Sequence, residues 1–162
     1  MFFHQRRSAH QPAWAIQSKT TQRLREFLCH PHFQWAKSSI VIDYTGVGRS
    51  FRDVLAMSGV RNTIVPVTIT GGAVQTELLG TANVPKQHLI GTLQILLQNR
   101  RIRIAPGLDQ AGTLKLELEN FRRNTANGYQ PRNAKIHDDT VLALALASWH
   151  ATRRYRGLLP PG

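Results

Sequence analysis

Carboxylates are scarce in this chain, and two places hold them where a hard cation could bind. Asp and Glu number 9 against 21 Lys and Arg in 162 residues, so each acid can be weighed singly. Asp43 closes the β-branched run Ser39-Ile40-Val41-Ile42, and open α/β sheets form their ligand crevices at the carboxyl ends of strands. Asp138 and Asp139 open a helical stretch that is apolar on nearly every face from Val141 to Ala147. Mg²⁺ or Mn²⁺ prefers carboxylate oxygens and keeps several waters. Two such ions, about 4 Å apart, activate water and stabilise the leaving oxygen of a phosphodiester. Each position also has a structural reading. Asp43 can start an Asx turn into Thr45-Gly46-Val47-Gly48. Asp138 can cap its helix, with Asp139 favoured in the first turn by the helix dipole. The other acids, Glu26, Asp53, Glu77, Asp109, Glu117 and Glu119, fall on helix surfaces or in loops and read as solvated. Gly46-x-Gly48 followed by Arg49-Ser50 does not meet the spacing of a phosphate-binding loop. His30 and His32 are too close together, and too far from partners at ligand spacing, for zinc. Cys29 is the single cysteine, which excludes an internal disulfide framework and a Cys-based zinc finger.

The elements that must position these acids alternate between helix and strand. The stripe Leu24, Phe27, Leu28 predicts a helix from about 18 to 29, ended by His30-Pro31. Residues 39–43 read as a strand buried on both faces, as in the middle of a parallel sheet. A helix over 50–58 follows, stopped by Gly59. A second β-branched run covers 64–70, where Pro66 suggests an edge or irregular strand. Residues 73–84 read as a polar loop. Pro85 opens the clearest helix, with Leu89, Ile90, Leu93, Leu96 and Leu97 at helical spacing. A brief alternating strand over 101–104, a helix over 111–123, a loop through Asn127-Gly128 and a buried helix over 138–152 complete the chain. Such alternation predicts one α/β layered domain.

Charge narrows the partner. The formal net charge is +12, and 41% of residues are hydrophobic, enough for a packed core rather than a basic tail. The cations cluster at Arg6-Arg7, Arg100-Arg101-Arg103, Arg122-Arg123 and Arg153-Arg154-Arg156. A field of this sign attracts polyanions, and each phosphate neutralised releases condensed counterions, so nucleic acid is the expected partner. The longest apolar run, Val141 to Ala147, is far short of the roughly 18 residues of a membrane span. Arg6 and Arg7 interrupt any secretory signal, and the acid-free, Arg-containing opening has no cleavage logic of a transit peptide. A soluble, cytoplasmic protein is expected.

Several motifs then resemble one family. Ile40-Val41-Ile42-Asp43-Tyr44-Thr45-Gly46-Val47-Gly48-Arg49, with Asp53 and Leu55 behind it, resembles the hydrophobic-Asp-x-Thr-Gly-Val-Gly segment of phage terminase large subunits. Val67-Thr68-Ile69-Thr70-Gly71-Gly72 and Val84-Pro85-Lys86 follow in the family's order. His137-Asp138-Asp139 with Ala143-Leu144-Ala145-Leu146-Ala147 resembles its closing motif. The match spans about residues 38–150.

The resemblance implies a metal-dependent nuclease that cuts concatemeric double-stranded DNA during packaging in the cytoplasm of a bacterial host. The implied fold is RNase H-like, related to RuvC-type resolvases: a mixed sheet flanked by helices. It implies Asp43 and one of Asp138 and Asp139 as ligands of two Mg²⁺ or Mn²⁺ ions. Lys86, Arg49, Arg100, Arg101, Arg122 and Arg123 would then lie on the DNA. In the family, the first catalytic Asp sits on an opening strand, whereas residues 1–39 hold only Glu26 as an acid. The implied fold therefore lacks its opening strands and first ligand, and no ATPase half is present. That pattern fits a prophage remnant, a piece of a split gene or a nuclease completed by another polypeptide, alongside a portal or small terminase subunit. Two other functions are a catalytically inert DNA-binding module and a resolvase-like nuclease acting on branched DNA.

Overall fold

The computed structural model describes residues 13–34, 38–46, 48–105, 107–124, 128–131 and 137–154. In chain order the elements are α1 (Ala13–Leu28), α2 (Pro31–Gln34), β1 (Ser39–Asp43), α3 (Gly48–Met57), β2 (Thr63–Thr70), β3 (Thr76–Leu78), β4 (Thr81–Pro85), α4 (Lys86–Gln98), α5 (Ala111–Asn120), β5 (Phe121–Asn124), β6 (Gly128–Pro131) and α6 (Asp139–Arg154). The architecture is mixed α/β. A four-stranded sheet runs in the order β1-β2-β4-β3, with β1, β2 and β4 parallel and β3 antiparallel, and β5 and β6 form a separate hairpin.

Helices cover the sheet on both sides. Val67, Ala82 and Val84 from the sheet join Leu89, Ile90 and Leu93 of α4 and Val141, Ala145, Leu146 and Trp149 of α6 in one buried cluster. Ile42 alternates with Val41 along β1, so it faces the other way. Together with Leu55 of α3, it is buried outside that cluster. Burying one such aliphatic side chain contributes about 1.5–3 kcal/mol.

Several expectations need correction. The strand β1 is the end strand of the described sheet, and its side chains are half-buried apart from buried Ile42 and exposed Asp43. Its apolar run reflects helix cover on two faces, not strands on two sides. The reverse holds for β2, which Pro66 had suggested as an edge. It is interior, and buried Pro66 pairs in register with Ile42. The Tyr44 N–H donates to the Val67 carbonyl. Val67 thus turns its polar groups to β1, and Pro66 turns its own toward β4, where pairing begins only at Val67. The missing N–H of proline therefore breaks no ladder bond.

The expected loop over 73–84 contains β3 and all but the last residue of β4. Its tight turn places Leu79 at φ 50° and Gly80 at φ 75°, which is unusual for leucine. Residues 101–104 form no strand, although Ile102 packs against the core. The helix predicted through residue 123 stops at Asn120, where the β5–β6 hairpin begins. Helix α1 starts at Ala13 rather than near residue 18, and the short α2 follows Pro31. No helix among the described residues is long and apolar enough to cross a membrane.

Candidate functional site

The Asp43 carboxylate is held locally by its own turn. Its Oδ1 accepts the Thr45 N–H at 2.9 Å, and the Thr45 hydroxyl accepts the Ile69 N–H at 3.4 Å. The Asx turn is therefore real, and Asp43 is exposed at the carboxyl end of β1. Gly46 has φ +58°, and a Cβ on Gly48 would sit on the Asp43 carbonyl oxygen. The two glycines thus serve a left-handed turn and a close backbone approach respectively. The guanidinium groups of Arg49 and Arg52 lie 5.7 and 5.9 Å from the centre of the Tyr44 ring. Both cations therefore stand beside the Asp43 turn. Arg49 is among the residues expected on DNA. Arg52 was missed, although it lies one helical turn beyond Arg49 on the same face.

The helix α6 is tied to the sheet in a way that fixes which end it presents. Arg154, its last residue, donates from Nη1 to the Ser39 hydroxyl at the start of β1, 2.6 Å away. The helix packs along β1 and so runs antiparallel to it, bringing Asp138 and Asp139 to the end of the sheet that carries Asp43. From that tie, β1 advances about 13 Å to Asp43 and α6 about 22 Å to Asp139. The acids thus lie toward one end of the sheet, where Lys86, just past the end of β4, also meets Asp138.

Asp138 and Asp139 have different surroundings. The Lys86 ammonium is 2.9 Å from Asp138 Oδ2, with both side chains partly buried, and lies 5.5 Å from the centre of the Phe121 ring. Lys86, expected on a DNA phosphate, is ion-paired with Asp138. Asp138 stands at the N-cap position, since its carbonyl accepts the Leu142 N–H. Yet its side chain does not supply the cap shown by the structure. Glu117 of α5 does: its Oε2 accepts the Thr140 N–H at 2.9 Å, the Thr140 hydroxyl at 2.5 Å and the Val141 N–H at 3.1 Å. Glu117 is 5% exposed, which overturns its assignment to a solvated face. The other expected surface acids are exposed, with Glu77 paired to Arg153 and Glu119 near Lys115. Asp139 is exposed in the first turn of α6.

Among the basic residues, Arg100 and Arg101 are exposed just past α4. Arg100 takes φ 54°. The Arg101 N–H donates to the Leu96 carbonyl and the Arg100 N–H to that of Leu97. This is a Schellman cap with arginine where glycine is usual. Arg122 and Arg123 lie on β5, and their side chains fall outside the described residues, as do Arg6, Arg7 and Arg156.

Among the described residues, no three His, Cys, Asp or Glu side chains group as a cation ligand set. Asp43 and Asp139 are two exposed carboxylates at one end, and a two-ion site needs more, so no hydrolytic step follows from these residues alone. Comparison with protein-family models, with curated proteins and with solved structures gives no match to this chain, so the site stands on its residues and geometry.

Proposed function

We propose that this chain is the nuclease-type domain of a DNA-packaging terminase large subunit, with an RNase H-like sheet, acting on double-stranded DNA with Mg²⁺ or Mn²⁺. The observation carrying this reading is the antiparallel seating of α6 on β1, which delivers Asp43 and the Asp138-Asp139 pair to one end of the sheet. The motifs at both places, far apart in sequence, are those that resemble the family. Lys86 takes Asp138 out of the candidate ligand set, so Asp139 is the partner of Asp43. When bound, the ions would supply an activated water and charge stabilisation at the leaving oxygen. The protein's own part is to hold Asp43 in its turn, to hold the α6 N-terminus through Glu117, and to place Arg49 and Arg52 beside the acid. Another segment or chain completes the ligand set. A portal or small terminase subunit would bring the DNA.

The test is nicking of supercoiled plasmid by the full chain with Mn²⁺. Asp43→Asn and Asp139→Asn are each expected to lower the rate about a hundredfold or more, and Asp138→Asn much less. Equal rates in wild type and both ligand variants refute the assignment.

A second reading, an inert DNA-binding module, is favoured by the Lys86–Asp138 pair, which neutralises one of the candidate acids within the chain. It predicts duplex binding unchanged by EDTA and no Mn²⁺-dependent nicking at any protein concentration.

A further inference from the structure

At the opposite end of the sheet a cavity of about 440 Å³ opens between the last two turns of α6, the start of β2 and the β3–β4 hairpin. Its lining includes Thr63, Glu77, Trp149, His150, Arg153 and Arg154. We propose that this cavity binds a phosphate group, held by Arg153 and Arg154. It is separate from the carboxylate end and does not depend on the function proposed for that end.

Both arginines are positioned in advance. Arg153 lies over the Trp149 ring, 5.0 Å from its centre, and donates to Glu77 at 3.1 Å. The Trp149 indole is itself fixed, donating to Gln75 at 3.2 Å. Arg154 is anchored on Ser39. A guanidinium is a planar fork of donors that matches phosphate oxygens, and holding it beforehand reduces the entropy lost on binding. Glu77, paired with Arg153, and the partial negative charge at the C-terminus of α6 oppose these two cations.

His150 reports the resulting potential. Its pKa lies below the ordinary 6.5, first because of burial and then because of Arg154 and Arg153. Its Nε2 is buried with no hydrogen-bond partner among the described residues. The two guanidiniums are thus close enough to repel a proton from this ring, and a bound anion would relieve that repulsion.

Phosphate can come from solution or from a nucleic-acid backbone, and one experiment separates the sources. The His150 Cε1–H signal of the full chain is titrated against pH by NMR at fixed ionic strength. The additions are sodium chloride, inorganic phosphate, or a short DNA duplex of equal phosphate concentration. Phosphate or duplex, but not chloride, is expected to raise the His150 pKa by about half a unit. That increment should be lost when Arg153→Ala and Arg154→Ala are combined. A response to duplex alone assigns a backbone phosphate, and a response to inorganic phosphate alone assigns a small ligand; either supports the site. Glu77→Gln keeps both arginines and removes the opposing carboxylate, so it should tighten binding roughly threefold. No movement of His150 with either phosphate source overturns the proposal. So does an increment that survives loss of both arginines, or an affinity unchanged by Glu77→Gln.

Discussion

Removing the Glu117 carboxylate should damage this protein far more than removing any other acid outside the candidate site. Its Oε2 satisfies two backbone N–H groups and one hydroxyl at the start of α6, all buried. Helix N-termini leave such donors without intrahelical partners. Losing an ordinary N-cap costs about 1 kcal/mol, and each buried donor left unsatisfied adds about 1–3 kcal/mol. Water entering the vacated space would recover part of that loss, so Glu117→Ala is expected to cost about 3 kcal/mol. Glu117→Gln keeps an acceptor oxygen but loses the charge assistance, and should cost about 1 kcal/mol. Glu119→Ala is the internal control. Its carboxylate is exposed and 3.9 Å from Lys115, and such i,i+4 pairs contribute about 0.3–0.5 kcal/mol. The measurement is urea unfolding followed by circular dichroism, with the m-value required to stay constant so that the shifts in midpoint report stability alone. If Glu117→Ala and Glu119→Ala unfold at midpoints equivalent to within 0.5 kcal/mol (about the size of a surface effect), the three-bond cap is not what holds the N-terminus of α6.

Three further variants probe the Asp43 turn and the His150 imidazole of α6. Gly48→Ala puts a methyl group on the Asp43 carbonyl oxygen, so the turn must shift; about 2 kcal/mol of stability should be lost. Gly46→Ala, which meets no neighbour but retains φ +58°, should lose about 1 kcal/mol; chemical unfolding of both variants tests the order. His150, whose folded pKa is lowered chiefly by burial, binds a proton less readily folded than unfolded. Stability is therefore lost as pH falls from 6.5 toward the folded pKa, with no penalty from this group above 6.5. Unfolding midpoints measured from pH 7.5 to 5 should fall less steeply in His150→Gln than in wild type, and parallel curves would refute the assignment.

What was legible in the sequence was whatever one stretch of chain decides for itself. The repeat Leu89, Ile90, Leu93 located α4, and three β-branched residues before Asp43 located β1. The Thr-Gly-Val-Gly segment announced a turn whose glycines prove to be required by a left-handed φ and by a carbonyl contact. What stayed hidden depends on partners remote in sequence. Strand β4 is only Thr-Ala-Asn-Val-Pro, and it becomes a strand because it pairs with β2 while Ala82 and Val84 join the buried cluster with α4 and α6. Its turn carries Leu79 where Asn or Gly would have signalled a hairpin. Pro66 misled because its tolerance depends on where the neighbouring ladder begins. Glu117 was illegible for the same reason. Within α5 it looks like one more polar residue of an amphipathic helix, and only the packing of α6 against α5 shows which donors it meets.

That distinction also bears on the acids and cations of α6. A helix with Asp at its first residue and two arginines at its end is what the macrodipole favours in any protein, by about 0.3–1 kcal/mol per charge. The segregation of charge along α6 therefore argues for neither proposed site. What does argue for them is the partners that other elements supply without helical necessity. Lys86 reaches from the β4–α4 junction to neutralise Asp138 and leaves Asp139 exposed. Ser39 and Glu77 hold the two arginines at the rim of a cavity. The same Arg154–Ser39 tie that builds one end of the helix into a cationic cavity marks the direction in which α6 runs, which its buried face of Val141, Ala145, Leu146 and Trp149 holds. A change at Arg154 should therefore reach the acidic end only if it reorients α6. If Arg154→Ala shifts backbone amide signals at Asp138 and Asp139 as strongly as those at His150, the two ends are not the independent sites described above.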